Sequence, residues 1–309
     1  MNKCANRITY GKTLVQLAAD NEFYVMDADL SKATGTKAFA NAYPQRFINM
    51  GIAEQDLMAT AAGIASCGVP VFASTFAMFG AGRAYEQIRN SIAYPRANVK
   101  IVCSHAGVLI GEDGASHQCI EDLSLMRTLP GMTVLAPCDS AETAKALAAA
   151  LKLNGPCYIR FGRQEVDQIY DDTLDYQIGK SFLLRKGGDV SIIACGELVQ
   201  NALQAASLLS EKSIEAAVID MHIIKPLDEA QINECIDQGS LLVGVEDHSV
   251  IGGLSSAIAE VIAQRGKGRL LRIGIQDEFG CSGNADYLAK LYRLTPEAIA
   301  ETIQKELKV

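Results

Sequence analysis

The chain has 309 residues, 49% of them apolar and 21% charged, which supplies a large core and lies outside the composition of disordered chains. A formal net charge of −8 argues against nucleic acid as a partner, because its phosphates would be repelled on average. Small anions are not excluded, since they need only a local group of Arg and His.

The first residues, MNKCANRITYGK, lack the apolar core of a signal peptide, and no apolar run reaches the length of a membrane span. Nine cysteines occur without a C-x-x-C pair, which suits a reducing compartment. A cytoplasmic protein with no membrane partner is expected. No short-period repeat is present. β-Branched apolar runs at 23–27, 69–73, 99–103, 132–136 and 157–160 predict strands, with helical patterns between them. In the helix predicted over 140–154, Ser140 is the expected N-cap, and Glu142 suits a first turn, as does Glu121 earlier in the chain. The stretch RQEVDQIYDDTLDYQIGKS is polar, acidic and aperiodic, and reads as a linker. A second series of strands follows at 189–195, 215–221, 241–247 and 270–276. Leu198, Ala202, Ala206 and Leu209 share one helical face, and a glycine-bounded helix is predicted over 252–266. The expected fold class is α/β, with two domains that are each a mostly parallel sheet flanked by helices: 1–165, a linker at 166–184, and 185–309.

Four segments carry candidate chemistry. Glu54 heads the apolar helical pattern QDLMATAAGIAS. It is either an acid favoured by the helix dipole or one withdrawn from water, where a carboxyl can hold or share a proton near neutral pH. STFAMF closes the strand at 69–73, and its Phe76 and Phe79 suit core packing or an aromatic clamp for a planar ring. HAGVLIGEDGASHQ follows the strand at 99–103 and holds two of the four histidines with Glu112 and Asp113. A polar capping loop is the simpler reading; a zinc site of His105, His117 and Cys119 is disfavoured, because that spacing matches no closed zinc motif. RFGRQ closes the strand at 157–160 with two arginines. All four segments lie at or near the carboxyl ends of predicted parallel strands, where open α/β sheets bind ligands. An acid, a ring clamp, histidines and an arginine at one edge suggest a ring-containing cofactor and an anionic substrate.

GIAEQ, STFAMF, GEDGASHQ and RFGRQ, in this order, resemble the pyrimidine-binding half of transketolase, and LVGVEDHSVIGGLSSAIAEV with FGCSGNADYL resembles its C-terminal domain. The histidine loop is the most specific part. Transketolases use a G-D-G motif and a later Asn to hold the Mg²⁺ of thiamine diphosphate, and no G-D-G occurs here. The resemblance therefore implies the C-terminal subunit of a split transketolase. Its N-terminal partner subunit would carry the diphosphate and its Mg²⁺ (or Ca²⁺), in an assembly taken as α₂β₂.

By the same resemblance, Glu54 bonds the aminopyrimidine of the cofactor and drives its activation, while Phe76 and Phe79 pack on the ring. Asp113 would read a substrate hydroxyl and His117 would contact the reacting hydroxyls. His105, Arg163 and Arg7 would bind the sugar phosphate as three local cations. The implied reaction moves a two-carbon glycolaldehyde unit from a ketose phosphate to an aldose phosphate, with pentose phosphates of central metabolism as the default substrates. Three positions depart from the pattern: Ala33 stands near the family's phosphate-contacting serine, with Ser31 or Thr34 as substitutes; Gly82 replaces a third aromatic; and Ser116 replaces a threonine. Rival implications are a 2-oxoacid dehydrogenase β-type subunit, a deoxyxylulose-phosphate synthase half, or a non-catalytic regulatory partner.

Overall fold

The computed structural model describes residues 3–307 and contains two large sheets and one small one. The strands are β1 (Lys3–Ala5), β2 (Tyr24–Asp27), β3 (Phe47–Asn49), β4 (Val71–Phe76), β5 (Val99–Ser104), β6 (Thr133–Leu135) and β7 (Cys157–Arg160). They continue with β8 (Glu165–Asp167), β9 (Phe182–Arg185), β10 (Val190–Ala194), β11 (Ala216–Asp220), β12 (Ile223–Lys225), β13 (Leu241–Ser249) and β14 (Leu270–Ile275). The first sheet has the order β12-β6-β7-β5-β4-β2-β3, and every pairing is parallel except β12 with β6. The second has the order β14-β13-β10-β11-β9, parallel except for the edge strand β9.

The nine strands expected from the apolar runs all form. Apart from the edge strand β14, which exposes Arg272, their interiors are buried on both faces, as parallel strands under helices require. Helix Leu198–Ser210 turns Leu198, Ala202, Ala206 and Leu209 inward, and helix Leu254–Arg265 ends at Gly266, whose φ of 68° gives the left-handed cap. One expectation shifts: the N-cap of helix Ser140–Lys152 is Asp139, not Ser140, because the Asp139 carboxylate accepts the Glu142 N–H at 2.8 Å. Such a cap stabilises a helix by about 1 kcal/mol.

The halves are interlocked. β12 leaves the second α/β series and pairs with β6 of the first sheet, Ile223 opposite Leu135. β9 forms at the end of the stretch read as linker. One apolar cluster runs through both halves, joining Met26, Leu57 and Met58 to Ile219, Leu254 and Ile258. Each such fully buried side chain contributes about 1.5–3 kcal/mol. No described helix is long and apolar enough to cross a membrane.

Candidate active site

The first sheet brings the four segments to one edge. β3, β4, β5 and β7 run parallel, so the turns after Asn49, Phe76, Ser104 and Arg160 emerge on the same side. Glu54 is the first residue of helix Glu54–Ser66 and is only 3% exposed. Leu57, Met58, Ala61 and Ala65 of that helix are buried, and the small residues let it lie close to the sheet. Among the described residues, the one cation paired with its carboxylate is Arg83, with Nη1 3.9 Å from Glu54 Oε2.

Phe76 and Phe79 are neither plain core nor isolated. Their rings stack with centroids 6.0 Å apart, and Phe76 also stacks on His105 at 3.9 Å. His117 meets Phe79 edge-on at 5.2 Å, and the Arg83 guanidinium lies 5.4 Å over the Phe79 ring. At Gly82, where a third aromatic was expected, the Met78 side chain lies against the glycine.

His105 has φ 58°, a left-handed conformation that costs a non-glycine residue on the order of 1–3 kcal/mol. Its Nδ1 bonds Ser104 Oγ at 2.9 Å, and its ring is buried. Burial, with the guanidinium groups of Arg7 and Arg163 and the His117 imidazole, pushes its pKa down to about 3. His105 is therefore neutral, and the three expected cations become two. Arg7 and Arg163 line one pocket of about 430 Å³ with Glu112 and Asn284. Phe79, Arg83, Ser116 and Phe279 line another of about 460 Å³, so the histidine loop borders both. Arg163 donates to the Ile110 carbonyl at 2.7 Å and stands 4.0 Å from Asp113. Thr34 cannot serve a ligand: its hydroxyl is buried and donates to Asp27 at 2.7 Å, which leaves half-buried Ser31 beside Ala33. His105, His117 and Cys119 do not converge on a metal-sized group among the described residues.

The loop is held from the second sheet. Asp247, in β13, accepts the N–H groups of Val108 and Leu109 at 2.9 and 3.2 Å. Gly107 (φ 80°) must be glycine here, because a Cβ would lie 2.0 Å from the Asp247 carboxylate. Gln118 donates to the carbonyls of Val108 and Cys281 at 3.1 and 2.9 Å, and Ser282 donates to that of Glu112. Arg160 is buried: it pairs with Asp122 at 2.9 Å and donates to the Asp247 carbonyl at 2.7 Å. Arg83 and Asp247 are the residues that sequence reasoning missed. An acid ending the apolar run LLVGVED was the available signal for Asp247; Arg83 gave none.

Residues 2–168 match the family described as transketolase, pyrimidine binding domain, and residues 179–299 match that described as transketolase, C-terminal domain. The chain belongs to the transketolase family. A family relative from Methanocaldococcus jannaschii, provisionally described as a transketolase C-terminal section, is 48% identical over 303 residues, covering 97% of this chain and 95% of its own. The 6-deoxy-6-sulfo-D-fructose transketolase subunit SqwH of a Clostridium species is 39% identical over 294 residues, covering 95% of this chain and 91% of its own. Among solved structures, a chain described as "Split gene transketolase, inactive beta4 tetramer" superposes with a TM-score of 0.91 at 45% identity, with 98% of each chain covered.

Proposed function

We propose that this chain is the C-terminal subunit of a split, thiamine-diphosphate-dependent transketolase that moves a two-carbon ketol unit from a ketose phosphate to an aldose phosphate. The observation that carries the reading is the buried Glu54 carboxylate, linked through Arg83 to the ring of Phe79 in the stack of Phe79, Phe76 and His105. Those residues fit an aminopyrimidine, with an acid for a ring nitrogen and aromatic faces for the ring plane. When bound, thiamine diphosphate supplies a thiazolium carbon that stabilises carbanions. Glu54 holds or shares a proton at the pyrimidine nitrogen; its surroundings exclude water, which strengthens that hydrogen bond. His117, flanked by Phe79, contacts the reacting hydroxyls. Neutral His105 hydrogen-bonds the substrate, while Arg7 and Arg163 bind its phosphate, and the paired geometry of a guanidinium suits that anion.

The diphosphate and its Mg²⁺ fall to an N-terminal partner subunit, because the family's G-D-G motif is absent from this sequence. The β₄ relative is described as inactive, which supports such a division of labour, and α₂β₂ is the proposed assembly. The test is reconstitution. The chain alone should show no turnover on ketose and aldose phosphates, and adding a G-D-G-containing partner should restore it. Full activity of the isolated chain, or activity of the mixture on 2-oxoacids only, refutes the reading.

A second expectation concerns substrate phosphate. Arg163→Met removes one charge-assisted contact, which is typically about 1.5–3 kcal/mol. KM for a phosphorylated acceptor should rise about 10- to 100-fold with kcat little changed, while a dephosphorylated analogue should be unaffected. Steady-state kinetics of the assembled enzyme on both acceptors decides this.

A further inference from the structure

At the junction of the two halves, away from the sheet edge described above, three side chains with metal-binding chemistry are buried together. Cys138 lies just before helix Ser140–Lys152, Glu142 is in that helix's first turn, and Asp220 ends β11 of the other sheet. Their candidate ligand atoms all fall within 4.8 Å of one another. Tetrahedral zinc with sulfur and oxygen ligands needs ligand-to-ligand separations of roughly 3.3–3.8 Å, so a small inward shift closes the set.

The cluster is not saturated by the protein. Glu142 Oε2 accepts the Cys138 N–H at 2.6 Å, but Glu142 Oε1 has no partner. Asp220 Oδ2 accepts from the Tyr170 hydroxyl at 2.9 Å and the Cys138 thiol at 3.3 Å, but Asp220 Oδ1 has none. His222 Nδ1, 3.8 Å from Glu142 Oε1, also has none. All four side chains are at most 2% exposed. A buried acceptor without a partner is costly, so the free oxygens of Glu142 and Asp220 call for one; His222 Nδ1 lies outside the 4.8 Å set but beside Glu142, within reach by a rotation of its ring.

The orientation of His222 is that of a ligand. Its Nε2 faces the Lys180 carbonyl at 2.7 Å, and a carbonyl only accepts. The ring proton therefore sits on Nε2, and the lone pair of Nδ1 faces the acids. Metal-bound histidines are held this way, and the Tyr170 hydroxyl on Asp220 is the matching outer support.

We propose that Cys138, Glu142 and Asp220, with His222 as the fourth donor, form a structural site for one zinc-class divalent cation that staples the two halves together. Thiolate with imidazole and carboxylate selects zinc-class ions, whereas Mg²⁺ and Ca²⁺ take oxygen ligands. On binding, the Cys138 S–H bond breaks and a sulfur-to-metal bond forms; the thiol proton, and any proton shared by the two carboxyl groups, leave to solvent. No electron is transferred. The site is distinct from the diphosphate metal assigned to the partner subunit.

The test uses the full chain. Purified protein should carry about one equivalent of zinc by elemental analysis, and a strong chelator should remove it and lower the melting temperature. Refilling with Co²⁺ should give a thiolate-to-cobalt charge-transfer band and tetrahedral ligand-field absorption. Cys138→Ser should abolish that band and the zinc-induced rise in melting temperature. Should that variant fail to fold, Asp220→Asn, which keeps the sulfur but removes an anionic ligand, should weaken zinc binding at least about 10-fold. Absence of tight zinc binding by the wild type overturns the proposal, as does a charge-transfer band that survives in Cys138→Ser or a wild-type zinc affinity in Asp220→Asn.

Discussion

Glu54→Gln in the reconstituted enzyme is expected to slow proton–deuterium exchange at the thiazolium carbon by about 100- to 10,000-fold, the range for loss of a positioned acid–base group. The carboxamide has nearly the shape of the carboxyl, so Leu57, Met58 and Ala61 keep the helix seated. What it loses is the ability to give and retake a proton. The structural cost is small. A negative charge at a helix N-terminus is worth about 0.3–1 kcal/mol, and the contact with Arg83 at 3.9 Å is long and half in water. Melting temperature should therefore barely move while exchange collapses. Exchange followed by NMR at the wild-type rate would remove Glu54 from its role.

Gly107→Ala is expected to disable the histidine loop from a position that touches no ligand. Alanine at φ 80° costs about 1–2 kcal/mol. Its Cβ would also lie 2.0 Å from Asp247, so the carboxylate has to withdraw from the N–H groups of Val108 and Leu109. Each such charge-assisted bond is worth about 1.5–3 kcal/mol. The variant should lose about 3 kcal/mol or more in chemical denaturation of the full chain. In the assembled enzyme kcat/KM should fall at least about 10-fold, because His105 and His117 flank this loop. Wild-type stability and kinetics would show that the second sheet does not hold the loop.

Much of this architecture was legible because its strands are long, apolar and local in their signal. LVQNALQAASLL declares a buried helical face from its own spacing. β9 and β12 did not declare themselves: each is short and is made a strand by a partner far away in sequence. The Asp139 cap was missed by one residue because Asp and Ser are equally good caps and stand side by side. In the site, the coincidence of Phe76, His105 and Arg163 at one edge followed from parallel order alone, whereas Glu54 reaches that edge after β3, which no apolar run announced. Which arginine is buried did not. Arg160 and Arg163 read alike in RFGRQ, and only the carboxylate of Asp122, reached through the fold, separates them. The charge of His105 was misjudged for a related reason, since its neutrality comes first from burial by the folded sheet edge and then from Arg7, nearly a hundred positions earlier.

The pairing of Ile223–Lys225 with Thr133–Leu135 sets a rule for dissecting the molecule. Cutting near residue 180 to obtain two fragments would strip the first sheet of its border and leave β6 as a raw edge, an invitation to aggregate. The two sheets therefore have to stay on one fragment for either to keep its edge covered.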